Sequence, residues 1–359
     1  MTCSRAPPRL PMRPIDSFTA LGEMATPRYF AGFFLWCMMM LPPVRLGSGN
    51  PVVDRRADYA EGLAEAGEFA AAADLMAQSL EMVPDWVPGW FRRAEWALAA
   101  GDRDAAIAAW DEVLRRDPED HFGASVRLEL LRPVPVAETM PPAFVRALYD
   151  QYAPKFEVSL VEALGYRGPE MIRDVLLAEG RSQFARVMDL GCGTGLLGAV
   201  MRPHAGWLEG CDLSPEMLKR AAEKGVYDAL SEANIATLQA AQGGYDLVTA
   251  ADVFIYIGAL ERVVGWAAAS LVPGGVLAFS VEELAEGLGE FRLMPSCRFA
   301  HSAGYLTRLL GEAGFATPRV VSTQLRQDRG TPVPALIVTA VRAEATVRRQ
   351  NDGEDMAAV

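Results

Sequence analysis

A glycine-rich stretch and one aspartate have types and spacing that suit ligand chemistry. The sequence VMDLGCGTG places Gly191, Gly193 and Gly195 at alternate positions, directly after an apolar run. Glycines at a junction between strand and helix expose backbone N–H groups and let a ligand approach the chain closely. Asp212 follows Gly191 by 21 residues, at the end of the next apolar run. A carboxylate there can accept hydrogen bonds from both hydroxyls of a ribose, which predicts a site for an adenosine-containing ligand.

The glycine spacing distinguishes two such ligands. A dinucleotide loop reads G-x-G-x-x-G, whereas Leu196 stands here at the position of its third glycine. A nicotinamide oxidoreductase also needs a second catalytic group, and neither a histidine beside a carboxylate nor a Tyr-x-x-x-Lys pair is evident. Asp212 does not discriminate between the ligands. The spacing therefore favours S-adenosylmethionine over NAD.

The elements around the loop alternate between strands and helices over residues 143–341. Apolar runs such as RVMDL, LEGCDL, YDLVTAADVF and GVLAFSVE predict strands, and helical patterns separate them. Ser214 and Pro215 are typical of the first turn of a helix. This order predicts an α/β fold, a mostly parallel sheet with helices on both faces. The last two strands have no helix between them, which predicts a terminal antiparallel hairpin.

An internal repeat of 34 residues precedes this region. Small residues, a glycine and a proline recur at corresponding places, which is typical of tetratricopeptide repeats and predicts an all-α domain over residues 51–132. Because two repeats cannot bury a continuous core alone, the segment 121–132 is expected to form a capping helix. The region is either a plain pair of helical hairpins or a groove for a peptide or another subunit. The recurring residues are Ala60, Gly67, Ala72 and Pro84, followed by Ala94, Gly101, Ala106 and Pro118.

Three further segments complete the predicted organisation. Residues 1–50 are expected to form an N-terminal extension that is either disordered or the result of a start assigned too early, with a secretory signal as the alternative. Its apolar run Tyr29–Leu41 is too short to span a bilayer, although a weak membrane anchor is a third alternative. Residues 133–142 are rich in proline and predict a linker. The polar tail 342–359 is expected to be disordered.

The charge and the cysteine content limit the classes of partner and metal site that we expect. The 359 residues carry a formal net charge of −12, which argues against nucleic acid as a general partner. Five cysteines without a C-x-x-C pair argue against a disulfide framework and against a zinc site, so we expect no metal. A reducing compartment fits this usage, and the expected localisation is cytoplasmic.

Residues 146–341 resemble a class I S-adenosylmethionine-dependent methyltransferase. The stretches VMDLGCGTG, GCDLSPEML, YDLVTAADVFIYI and LVPGGVLAFSVE resemble its successive motifs. With the repeats included, residues 50–341 resemble predicted methyltransferases that contain tetratricopeptide repeats. The resemblance implies a Rossmann-like sheet, S-adenosyl-L-methionine as cofactor and a small-molecule substrate, with a protein partner for the repeats as a further implication.

The resemblance also implies the cofactor site. The glycine loop would hold the methionine part, Asp212 the ribose, and Leu213 and Met217 the adenine. Asn234 replaces the aspartate that often accepts from the adenine amino group, and it is either a weaker acceptor or a plain loop residue. The cofactor-binding set is Asp189, Gly191, Cys192, Gly193, Thr194, Gly195, Asp212, Leu213, Met217, Asn234, Ile235, Ala251 and Asp252.

Substrate residues follow from the same resemblance. The fourth strand ends in Ala251-Asp252-Val253-Phe254 rather than Asn-Pro-Pro-Tyr, which disfavours amide and base nitrogens and favours an oxygen or carbon nucleophile. His301 is the candidate general base, or else a buried histidine bonded to a backbone carbonyl. Arg298 faces either a substrate carboxylate or solvent. Tyr152 and Phe156 either close over the cofactor or pack in the core.

A rival interpretation comes from another class of protein. In it the chain is a scaffold whose repeats bind a partner, while the methyltransferase-like domain senses cofactor, binds none or acts on a protein. The unbroken glycine loop and Asp212 favour the enzyme.

Overall fold

The structure is a computed structural model that describes residues 47–131, 138–158, 160, 164–239, 244–316, 318–328 and 331–344. The predicted extension before residue 47, with its apolar run Tyr29–Leu41, lies outside the described residues. So do the first part of the proline-rich segment and the tail after residue 344.

The N-terminal part is all-helical, as predicted. Each helix packs against the next one along the chain. Ala60, Ala72, Ala94 and Ala106 are fully buried where neighbouring helices cross, because larger side chains would separate the backbones. Its helices are α1 (Pro51–Glu65), α2 (Phe69–Met82), α3 (Val87–Ala99), α4 (Arg103–Arg116) and α5 (Ala124–Leu130).

The remainder is an α/β unit around one sheet of nine strands in the described residues. The strands are β1 (Phe184–Leu190), β2 (Ala205–Asp212), β3 (Ala229–Glu232), β4 (Tyr245–Ala250), β5 (Leu271–Glu283), β6 (Phe291–Met294), β7 (Arg298–His301), β8 (Arg319–Asp328) and β9 (Thr331–Val341). The helices are α6 (Pro142–Tyr152), α7 (Gly168–Ala178), α8 (Leu196–Met201), α9 (Pro215–Lys224), α10 (Glu261–Ser270) and α11 (Ala303–Glu312).

Strand order places β1 between β2 and β4. Strands β3, β2, β1, β4 and β5 are parallel neighbours in that order. Strand β9 pairs antiparallel with β5, and β8 pairs antiparallel with β9, so the predicted terminal hairpin is confirmed. Chain order reverses between β1 and β4, the point at which open α/β sheets bind ligands beyond the carboxyl ends of their strands.

Helices cover both faces of the sheet, as predicted. Alternate residues of β5 enter different cores, because successive side chains of a strand point to opposite faces. Leu277 and Phe279 pack with α10 and α11, whereas Val276 and Ala278 pack with α7 and α8.

Two features differ from the prediction. The hairpin of β6 and β7 extends the sheet beside the last residues of β5, in a stretch that was not predicted to pair. Residues 138–142 are part of the sheet unit rather than a linker, since Gly258 N donates to Glu138 O at 2.6 Å and Met140 N donates to Tyr256 O at 3.0 Å.

The helical part and the sheet unit share an apolar cluster. Val126 on α5 is buried with Met140, Phe144, Leu293 and Phe299 of the sheet unit. Next to them, Arg127 Nη1 lies 2.6 Å from Cys297 Sγ, in the turn between β6 and β7. The two parts are therefore joined through this hairpin. No helix in the described ranges has the length and apolar character needed to cross a membrane.

Candidate functional site

A cavity lies beyond the carboxyl ends of β1, β2 and β4. Loops after these strands form one wall, and α6 with the turn that follows it forms the other. The predicted residues that line it are Tyr152, Phe156, Asp189, Gly191, Cys192, Gly193, Thr194, Asp212, Leu213, Asn234, Ile235, Ala251, Asp252 and Arg298.

The glycine loop presents bare backbone to this cavity. Gly191 has a φ of 62°, and an added Cβ would lie 2.6 Å from both methyl groups of Val253. Gly193 has a φ of 53°, and its added Cβ would meet only Phe156, at 4.0 Å. A side chain at Gly193 would therefore project into the cavity, whereas one at Gly191 would clash with its wall.

Asp212 is tied to the loop by backbone donors. Its Oδ2 accepts from Gly193 N at 2.9 Å and its Oδ1 from Ser214 N at 2.8 Å. Burial raises the pKa of Asp212, although these backbone hydrogen bonds act in the opposite direction. Because an ionised carboxylate has about four acceptor positions, Asp212 can accept further hydrogen bonds from a ligand.

Asp189 is held at the base of the cavity. Its carboxylate accepts from the hydroxyl of Tyr227 at 2.7 Å and from that of Thr249 at 3.2 Å. Burial raises the pKa of Asp189 to about 7, against the effect of the two hydroxyl donors. The charge of this group is therefore sensitive to what binds beside it.

Asn234 has a structural role and also lines the cavity. Its Oδ1 accepts from Ala236 N at 3.0 Å and caps the short helix Ile235–Thr237. The cap holds the amide in place, and the second lone pair of Oδ1 can accept from a ligand.

A buried ionic network borders the other end of the cavity. Arg326 Nη1 lies 2.8 Å from both carboxylate oxygens of Asp252, and Arg326 Nη2 pairs with Oε1 of Glu282. Arg298 Nη1 lies 3.6 Å from the same oxygen of Glu282. Asp252 has a φ of 59°, in the left-handed region that aspartate adopts more readily than most residues other than glycine.

Helix α6 is fastened over the cavity by polar contacts. Asp150 accepts from Ser214 Oγ at 2.5 Å, and Arg146 Nε donates to Leu213 O at 3.1 Å. The hydroxyl oxygens of Tyr149 and Tyr256 lie 2.6 Å apart at the cavity wall. Phe156, which follows α6, is the side chain nearest to the open face of Gly193.

The structure places His301, the candidate general base, outside the cavity. The side chain is fully buried outside the cavity, and its Nε2 lies 3.0 Å from the carbonyl oxygens of Ile257 and Gly258. Burial lowers the pKa of His301 to about 4. The imidazole is thus neutral and bonded to backbone, which is the structural alternative.

Two predicted cofactor residues also lie behind the cavity wall. Met217 is fully buried and Gly195 packs against Tyr227, so neither lines the cavity. They support the loop from behind.

Sequence reasoning missed Tyr149, Tyr256 and Arg326. Tyr149, Tyr152 and Phe156 are spaced by three and four residues, and this helical spacing could have indicated that Tyr149 shares their face. Arg326 gave no such signal, because its partner Asp252 is distant in sequence.

Residues 164–319 match a protein-family profile described as a methyltransferase domain. A segment of 108 residues, 28% of this chain, is 37% identical to ubiquinone biosynthesis O-methyltransferase of Bordetella avium and covers 44% of it. A segment of 105 residues, 28% of the chain, is 35% identical to methyltransferase-like protein 27 of Homo sapiens and covers 42% of it. A segment of 110 residues, 31% of the chain, is 34% identical to malonyl-[acyl-carrier protein] O-methyltransferase of Enterobacter lignolyticus and covers 43% of it. The chain thus spans less than half the length of these curated relatives.

Proposed function

We propose that this chain, which contains a methyltransferase domain over residues 164–319, transfers the methyl group of S-adenosyl-L-methionine to an oxygen of a small molecule. The observation that carries the proposal is the pairing of Asp212 with the glycine loop. A carboxylate with free acceptor positions is bonded directly to Gly193 N, at the side-chain-free face of the loop.

Two observations test whether the cavity fits this cofactor. The space that a Cβ on Gly193 would occupy is left open to the cavity. The hydroxyl of Tyr166, which lines the cavity, is buried and has no hydrogen-bond partner among the described residues. An unpaired buried hydroxyl is costly, and a polar ligand group would relieve that cost. The residues present therefore fit the cofactor, which supplies an electrophilic methyl group when bound.

The roles of the lining residues follow from their chemistry. Asp212 would accept from the ribose hydroxyls, while Leu213, Asn234 and Ile235 would border the adenine. Asp189, Gly191, Cys192, Gly193 and Thr194 would surround the methionine part, and Ala251 and Asp252 would lie towards the reacting centre. Tyr152 and Phe156 would exclude water, which strengthens electrostatic interactions within the site.

An oxygen acceptor is favoured over nitrogen and carbon. The chain lacks the Asn-Pro-Pro-Tyr stretch suited to amino groups. In addition, two of the relatives are named O-methyltransferases. Positioning of acceptor and methyl group is the main requirement, since orientation alone removes much of the barrier.

The helical part adds a second element to the proposal. Buried alanines at repeated crossings and the turns at Gly67 and Gly101 support two tetratricopeptide repeats that bind a protein partner. A cytoplasmic protein is in keeping with Cys192 and Cys211, which are both buried as thiols.

Calorimetry tests the cofactor assignment. We expect S-adenosylhomocysteine to bind the full chain and to raise its melting temperature by mass action, whereas NAD does neither. Binding of NAD without binding of S-adenosylhomocysteine would overturn the proposed function.

A further inference from the structure

We infer that the cavity end formed by Arg298, Tyr149 and Tyr256 binds a carboxylate, and that this carboxylate is the methyl acceptor. We call these three residues the donor cluster. The inference rests on the proposed function and names its substrate class.

Arg298 is the cationic member of the donor cluster. It is the one lysine or arginine among the described residues that line the cavity, and it is 6% exposed. The Glu282 carboxylate beside it is contacted more closely by Arg326, which also binds both oxygens of Asp252. A guanidinium has five N–H donors in a planar fork, so Arg298 can bind a further anion alongside Glu282.

The tyrosine pair lies close enough to Arg298 to interact with its charge, and it supplies a neutral donor. In a contact of 2.6 Å between two hydroxyl oxygens, one group donates and the other keeps its own hydrogen. Loss of solvent raises the pKa of both phenols, so they stay protonated near neutral pH. The remaining hydrogen can be donated to a ligand. A cationic fork and a hydroxyl donor suit a ligand that only accepts, such as an ionised carboxylate.

The lining carboxylates already have partners, which favours an acceptor that needs no base: Asp252 is paired with Arg326, and Asp189 accepts from Tyr227 and Thr249. The described lining residues include no histidine or lysine. His301 lies elsewhere, with its Nε2 beside the carbonyl oxygens of Ile257 and Gly258. An alcohol must lose a proton during methyl transfer, whereas a carboxylate is already ionised at neutral pH.

The reaction then balances without a proton transfer. A carboxylate oxygen forms a bond to the methyl carbon of S-adenosylmethionine, and the bond between methyl and sulfur breaks with its electron pair going to sulfur. The products are a methyl ester and S-adenosylhomocysteine. The apolar lining beside the donor cluster, which includes Met140, Val145 and Leu148, suits a hydrocarbon body on the acid.

Binding of matched acids and alcohols tests the inference. The probes are straight-chain carboxylates from butanoate to dodecanoate, benzoate and phenylacetate, each paired with its primary alcohol. They are titrated into the full chain saturated with S-adenosylhomocysteine. We expect at least one acid to bind tenfold or more tightly than its alcohol. Incubation of that acid with methyl-labelled S-adenosylmethionine should give label that alkali releases as methanol, as an ester does.

Two variants test the donor cluster itself. Arg298→Gln should weaken binding of that acid roughly 10- to 100-fold, the loss expected for hydrogen bonds to a charged group, and leave alcohol binding unchanged. Arg292→Gln on neighbouring β6 is the matched control and should bind the acid normally. If Arg298→Gln does not fold, Tyr256→Phe is the second variant, because it removes one hydroxyl without removing a charge. It should weaken binding of the acid about 3- to 10-fold.

The outcomes separate the two proposals. Failure of S-adenosylhomocysteine to bind the unaltered chain would remove the proposed function. Normal binding of S-adenosylhomocysteine with no preference for any acid would overturn this inference alone. Unchanged acid affinity in Arg298→Gln, or in Tyr256→Phe, would also overturn it. Label that resists alkali would show that the carboxylate is not the acceptor.

Discussion

Replacement of Gly193 by alanine should weaken cofactor binding far more than it weakens the fold. The backbone at Gly193 has a φ of 53°, where an L-residue costs about 1–2 kcal/mol of folding free energy. The added methyl would contact only Phe156, at 4.0 Å, and would otherwise occupy the cavity. A ligand that packs against Gly193 would then have to shift and would lose some of its contacts with the loop.

The size of the effect follows from overpacking. Forcing one extra methyl into a filled contact costs typically 1–3 kcal/mol, which corresponds to a loss of roughly 5- to 150-fold in affinity. The matched control is Gly225→Ala at the end of α9. Gly225 has a φ of 63°, and an added Cβ there meets nothing within 4 Å. Both variants should therefore lose similar unfolding free energy.

Calorimetry with S-adenosylhomocysteine and denaturant unfolding measure the two effects separately. We expect both variants to unfold at similarly reduced denaturant concentrations, and only Gly193→Ala to bind S-adenosylhomocysteine weakly. Equal affinity in the two variants would refute the reasoning, because the cofactor would then not pass over Gly193.

Three further predictions concern the cofactor site, the buried histidine and the helical part. Asp212→Ala should weaken S-adenosylhomocysteine binding by roughly 1–3 kcal/mol in calorimetry, since charge-assisted hydrogen bonds are lost, whereas the exposed Asp228→Ala should not. Burial lowers the pKa of His301 from 6.5 to about 4, so the unfolded chain binds more protons between these values and stability falls as pH falls through that window. His301→Gln should reduce this slope in denaturant unfolding and leave methyl transfer intact, with His204→Gln as control. Removal of residues 1–131 exposes the apolar surface that Val126 covers, so the shortened chain should melt at a lower temperature than the full chain.

Each of these predictions has a contrary result. Undiminished affinity in Asp212→Ala would exclude the ribose role. A loss of methyl transfer in His301→Gln, with cofactor binding kept, would restore the general-base hypothesis. Equal melting temperatures for the full and shortened chains would show that the helical part contributes nothing to the stability of the sheet unit.

The cofactor half of the site was predictable because its signals are local. The glycine loop and Ser214 follow strand ends within a few residues, and Asp212 is the last residue of β2, so spacing along the chain fixes their position in space. Strand alternation predicted the parallel sheet for the same reason. The hairpin of β6 and β7 gave no comparable signal, since its strands have only four residues each.

The substrate half depends on contacts between distant segments. Arg326 reaches Asp252 from another strand, and nothing in the neighbourhood of either residue indicates the pair. For His301, residue type and position in the chain suggested the cavity, but the direction of its side chain depends on how β7 packs against Ile257 and Gly258. Position along the chain was therefore a better guide to the cavity lining than to the direction of a side chain.

The shared apolar cluster has a thermodynamic consequence. Val126 on α5 packs against the hairpin that also carries Arg298, so a molecule that displaced α5 would alter the affinity of a ligand bound at Arg298. Such coupling is reciprocal: whatever factor a partner of the helical part applies to substrate affinity, the substrate applies to the affinity for that partner. Occupancy of the cavity would then change the affinity of the outer helices for any molecule that binds them, in proportion to the coupling through Val126.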